Sequence, residues 1–122
     1  MYTTWTYDVR ADSWQKMNPK VEPRGNNARR YAGMAYDSLN KVHILFGGSG
    51  KGAWDSPPTD HYNDTWVYDA KLNTWTEMKP RESPPAGKEH ALFAYDPEHN
   101  LTLMVEGGYR GVWVYRYKRG RR

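Results

Sequence analysis

Cysteine is absent from this chain. Its absence excludes disulfides, thiolate metal sites and a cysteine nucleophile, although it leaves the compartment open. Aliphatic residues are scarce: six Leu, one Ile and seven Val, with only two Phe beside them. So small an apolar share would indicate disorder if it came with high net charge, but the net charge is only +4. No apolar run approaches the roughly 18 residues that a membrane span needs. The opening Met1-Tyr2-Thr3-Thr4-Trp5 has neither the basic region nor the apolar stretch of a signal peptide. A soluble protein without a membrane partner is expected, its compartment unassigned.

What the chain has instead is rings and turns. Six Trp, ten Tyr and two Phe make up 15% of the sequence, and 11 Gly and 8 Pro punctuate it at short intervals. Each aromatic ring buries a large area, and Trp, Tyr, Thr and Val favour strands. An all-β, turn-rich fold with an aromatic core follows. The positive charge is concentrated at the end, in Lys118, Arg119, Arg121 and Arg122. Without this 118–122 tail the body is nearly neutral. The tail is read as a solubilising end, and nucleic acid is not expected as a partner.

The strongest signal is internal repetition. Thr4-Trp5-Thr6-Tyr7-Asp8 recurs as Thr65-Trp66-Val67-Tyr68-Asp69, an offset of 61 that also carries Trp14 onto Trp75 and Met17 onto Met78. Val112-Trp113-Val114-Tyr115 is a third, partial copy. Ala32 to Asp37 matches Ala91 to Asp96 at an offset of 59, and Val42 to Gly48 matches Thr102 to Gly108 at 60. These segments predict nine strands, near 3–8, 12–17, 29–36, 41–46, 64–69, 73–78, 88–95, 101–106 and 111–117. No stretch sustains a 3.6-residue period, so no helix is predicted.

At Gly47-Gly48, Tyr68-Asp69 and Trp75, taken in that order, the sequence resembles the kelch repeat. Tyr7-Asp8 with Trp14 and Gly107-Gly108 with Tyr115 fit parts of the same pattern, and His90 is similar to a His that such repeats place in the first strand of a blade. The style of the repeats resembles bacterial kelch and galactose-oxidase-like propellers. The resemblance implies kelch-type β-propeller blades, about two and a half four-stranded antiparallel blades over 1–117, in pieces of about 1–22, 23–82 and 83–117. Trp14 and Trp75 are then expected to fill the wedges between blades, with Tyr hydroxyls reaching backbone polar groups there. Closed propellers have about 4–8 blades. The chain is therefore expected either to belong to a longer propeller or to complete a ring as a homo-oligomer.

No catalytic constellation is visible, and no cofactor is called for. His43, His61, His90 and His99 show no metal-ligand spacing. Without cysteine, the Tyr–Cys copper centre of galactose-oxidase-like enzymes cannot form. Glu106 stands in an apolar run, matched by the offset of 60 with Phe46, and is expected either to face a central channel or to meet a cation such as Arg110. The loop from Ser49 to Asn63 is the best candidate binding surface, carrying Trp54, Asp55, Asp60, His61 and Tyr62, with Tyr109 and Arg110 on the same rim. Arg29 and Arg30 are expected near the opposite end or in ion pairs between blades. Aromatic and acidic side chains together suit a protein or glycan partner. The resulting expectation is a non-catalytic binding or assembly module, with a fragment of a carbohydrate-acting propeller enzyme as the alternative.

Overall fold

The computed structural model describes residues 3–23, 29–50, 60–86, 91–106 and 111–117. Among the described residues there are eleven strands and no helix. They are β1 (Trp5–Asp8), β2 (Ser13–Lys16), β3 (Gly33–Asp37), β4 (Val42–Phe46), β5 (Ser49–Gly50), β6 (Asp60–His61), β7 (Thr65–Asp69), β8 (Thr74–Met78), β9 (Leu92–Asp96), β10 (Leu101–Val105) and β11 (Val112–Tyr115). All pairings are antiparallel. The sheets are β1-β2, β3-β4-β7-β8 and β9-β10-β11, with a small β5-β6 ribbon. Nine of these strands overlap the nine predicted segments. The third starts at Gly33 rather than 29, because Arg30 makes a single bridge to Ser49 before the regular pairing begins. The β5-β6 ribbon lies within the segment predicted as loop.

Four hairpins are built by one local device. Each begins with Tyr-Asp: Tyr7-Asp8, Tyr36-Asp37, Tyr68-Asp69 and Tyr95-Asp96. The Asp carboxylate accepts backbone N–H groups two or three residues on, from Arg10 and Ala11, Asn40, Leu72, and Glu98 and His99 respectively. This mimics a backbone turn and relieves the tight bend. The fourth residue after each Asp has a positive φ: Asp12, Lys41, Asn73 and Asn100, at 48°, 57°, 51° and 53°. Three of these offer a side-chain oxygen, and the Tyr hydroxyl donates to it in Asp12, Asn73 and Asn100. The hydroxyls therefore lock the left-handed residue of their own hairpin rather than backbone groups between sheets. Lys41 offers no acceptor, and Tyr36 instead lies against the His43 ring, 4.9 Å between centroids.

The four-stranded sheet is covered on both faces, so every residue of β7 is buried. On one face Val42, Ile44 and Val67 pack with Met78, Tyr115 and Tyr117, and the Phe46 and Phe93 rings meet at 6.3 Å. Gly33 admits this approach: a Cβ there would lie 1.7 Å from the Phe93 ring. On the other face Trp66, Tyr68 and Trp75 cluster with Leu45 under sheet β1-β2. Trp75 donates its indole N–H to Thr4 Oγ1 at 2.8 Å, and Asn73 donates to the Met17 carbonyl at 2.6 Å. Thr4 in turn donates through Oγ1 and its backbone N–H to the Glu22 carboxylate. Trp75 is thus a wedge between two sheets, as expected. Trp14 is not: it is 67% exposed, since no described sheet covers the far face of β1-β2.

Registers correct one correspondence. Leu45 stands opposite Trp66, and Met104 stands opposite Trp113; His43 faces Tyr68, and Thr102 faces Tyr115. Met104 therefore corresponds to Leu45 and Thr102 to His43, an offset of 59 rather than 60. Met34 pairs with Leu45 as Phe93 pairs with Met104, so the same offset runs through β3 and β9. Glu106 accordingly corresponds to Gly47, not to Phe46.

Candidate functional site

At the end of the sheets where β4 stops, the chain turns through Gly47 and Gly48, at φ 65° and 87°. A Cβ on Gly48 would come within 2.6 Å of the Arg30 carbonyl oxygen, so only glycine fits both the dihedral and the space. Ser49 then exchanges both backbone hydrogen bonds with Arg30, each 2.8 Å. β5 pairs with β6, Tyr62 N–H donates to the Gly48 carbonyl at 2.9 Å, and Gly47 N–H donates to the Asp64 carbonyl at 3.1 Å. The segment between Gly50 and Asp60 therefore leaves and re-enters the scaffold through a hydrogen-bonded base. Asp60 and Tyr62 are half-buried in this base, and His61 is exposed. Trp54, Asp55, Tyr109, Arg110 and His90 lie outside the described residues.

Arg29 fastens the base from below. Its guanidinium donates from Nη1 to Asp64 Oδ1 at 2.6 Å and from Nη2 to Oδ2 at 2.7 Å, and Nη1 also reaches the Gly47 carbonyl at 2.6 Å. The Tyr62 ring lies over it, 4.4 Å from Cζ to the ring centroid. The Trp66 indole N–H donates to Asp64 Oδ2 at 2.6 Å. Burial by itself would raise the Asp64 carboxyl, but the Arg29 and Trp66 donors and the Arg29 charge outweigh it and hold the group below the usual carboxylate range. Arg29 and Arg30 thus lie at the same end as the base of the 49–63 loop rather than at the opposite end, and Arg29 does form an ion pair, within one sheet. Arg30 adds the bridge to Ser49, and its guanidinium lies 5.6 Å from the Tyr31 ring centroid.

The repeats solve one problem three ways. The Trp near the start of each of β1, β7 and β11 needs an acceptor for its indole N–H. Trp5 donates to Thr3 at 3.2 Å and Trp66 to Asp64, each acceptor two residues earlier. The matching position before Trp113 is Gly111, which has no side chain. Glu106 supplies the acceptor instead, at 2.6 Å from the indole nitrogen. Its backbone N–H donates to the Gly111 carbonyl at 3.2 Å, as Gly47 donates to Asp64. Glu106 is buried just beyond the end of β10. It is a structural acceptor with an indole partner, standing at the strand end rather than inside the apolar run. Asp64 and Arg29 were absent from the expected site residues. The signal that marks Asp64 is a polar side chain two residues before each of Trp5 and Trp66; no local signal marks Arg29.

Beside the Arg29–Asp64 pair opens a cleft of about 380 Å³ between sheets β1-β2 and β3-β4-β7-β8, lined by Thr4, Glu22, Met34, Leu45 and Trp75 as well as Arg29. It combines an indole, a carboxylate and a thioether on a rigid base. Among the described residues no group of three or more His, Asp or Glu is placed to hold a metal, and no helix is long and apolar enough to cross a membrane. His43, half-buried between Tyr36 and Tyr68, has its pKa lowered by burial. His99 is exposed and pairs with Asp96 in its hairpin. The chain matches no protein-family model and no curated protein.

Proposed function

We propose that this chain is a kelch-type propeller segment acting as a non-catalytic binding module, which presents the 49–63 loop and the adjoining cleft to a protein or glycan partner. The observation that carries this reading is the fastened base: Arg30–Ser49, Gly48–Tyr62 and Arg29–Asp64 tie together the two ends of the 49–63 segment beside an aromatic, acidic cleft. Loops held on a rigid scaffold are where binding function is concentrated. Rings and carboxylates are what stacking against a sugar or an amphipathic peptide requires. The propeller assignment is supported by sheets of two, four and three strands in chain order, with equivalent residues in register and the same device in four hairpins.

The binding reading is preferred to the enzymatic one because Glu106, the carboxylate standing out in the apolar run, is buried against the Trp113 indole. The test is replacement of residues 51–59 by a two-residue turn, followed by binding assays on a glycan array and a displayed-peptide library. Loss of the ligands bound by the intact chain, with unchanged circular dichroism, supports the proposal. Full retention of the same ligands contradicts it.

A further inference from the structure

Two apolar faces are left at opposite ends of the stack of sheets. On β1-β2, Trp5, Tyr7 and Trp14 point away from the four-stranded sheet and are exposed. On β9-β10-β11, Leu92, Val105, Val112 and Val114 do the same. Such patches rarely stand uncovered on a soluble protein. The internal repeat identifies their complements. Trp14 corresponds to Trp75, which is only 8% exposed because the face of β1-β2 carrying Thr4 covers it. Val114 corresponds to Val67, which is only 4% exposed because the face of β9-β11 carrying Tyr115 covers it. One contact, the Thr4/Val67 type of face against the Trp75/Tyr115 type, is therefore made twice within the chain. Among the described residues, each type is left once without a neighbour.

We infer that a second copy of this chain docks head to tail, its β1-β2 face with Trp5, Tyr7 and Trp14 seated on the β10-β11 face with Val105, Val112 and Val114. The occupant follows from continuity with the two existing interfaces: each exposed face is the next copy of a half already matched inside the chain. Val112 stands where Thr4 and Thr65 stand in the other repeats, so this seam is made by rings against methyl groups and lacks the indole–hydroxyl bond of Trp75. Because the two faces differ, the contact is heterologous, and successive copies form a closed ring or an open chain according to the rotation per step. The inference does not depend on the loop or on its ligand.

The test is mass by light scattering after size exclusion, over rising concentration, for the 122-residue chain, for Trp14→Glu and for Val114→Glu. Both substitutions lie at exposed positions; Trp14→Ser and Val112→Glu serve as second variants if either misfolds by circular dichroism. The wild type is expected to gain mass with concentration, and each variant alone to stay at the monomer mass. An equimolar mixture of the two variants is expected to form a dimer and nothing larger, since each keeps one intact face. A wild type that stays monomeric throughout overturns the inference. So does a Val114→Glu or Trp14→Glu chain that associates as the wild type does, which would place the contact elsewhere.

Discussion

Arg29 and Asp64, 35 positions apart in sequence, form a two-pronged ion pair beneath the Gly47-Gly48 turn, with the Arg29 side chain 6% exposed. Removing one partner leaves the other charge buried and uncompensated. Arg29→Met is therefore expected to cost about 3 kcal/mol, measured by urea denaturation, and to loosen the β5-β6 ribbon first. A loss below about 1 kcal/mol, the size of an exposed pair, would show that the pair is not structural.

The same pair sets an acid limit. The folded pKa of Asp64 lies below its unfolded value, so its contribution is complete above the ordinary carboxylate pKa of about 3.9 and is lost as pH falls through the folded value. Asp64→Asn is expected to lower stability at neutral pH and to flatten the acid dependence in this window. A wild-type slope persisting in Asp64→Asn would assign the acid sensitivity to other groups.

His43 acts at higher pH. Burial lowers its folded pKa, so the unfolded chain takes up the proton first as pH falls below about 6.5. Stability should decline from there towards the lower folded value, and His43→Phe should remove that decline while keeping the ring contact with Tyr36. Urea midpoints taken between neutral pH and pH 5 decide this; identical slopes in the two proteins would contradict it.

Glu106 and Trp113 give a size-matched test. Glu106→Ala leaves a part-buried indole N–H without its carboxylate acceptor and is expected to cost about 2 kcal/mol. Glu106→Gln keeps an acceptor oxygen and should cost clearly less. Equal losses would mean that the carboxylate charge, rather than the indole bond, is what matters at this position.

Gly33 and Phe93 test the sheet-to-sheet packing. Gly33→Ala forces the Phe93 ring aside and is expected to destabilise by about 2 kcal/mol as an overpacked site. In a double-mutant cycle with Phe93→Leu, the alanine should cost less, because the smaller side chain leaves room for the added methyl group. An additive pair would show that the two residues are not in contact.

Strands and turns were legible because their signals are local. Tyr-Asp, the Gly pair and the alternation of β-branched and aromatic residues each act within a few positions, so nine strands could be placed from them. The β5-β6 ribbon could not be, since two-residue strands carry no period. The offset of 60 failed at β10 because Gly107-Gly108 and Gly47-Gly48 look alike, whereas pairing with β9 and β11 fixes the strand one residue earlier. That slip also hid the role of Glu106. Trp14 and Trp75 are equivalent in sequence and opposite in burial, because burial depends on the neighbouring sheet, which a single repeat does not encode. Arg29 and Asp64 meet only because β3 and β7 both pair with β4, so that the residues before each converge on the Gly turn at its end, a long-range consequence of topology.

The most direct test of the binding account is the hydrogen-exchange footprint of a ligand selected by the intact chain from the glycan array or peptide library. The account predicts slowed exchange at Arg29–Arg30, Gly47–Gly50 and Asp60–Asp64, with the hairpins at 8–12, 37–41, 69–73 and 96–100 unchanged. Protection centred on those hairpins, at the opposite end of the sheets, would contradict it.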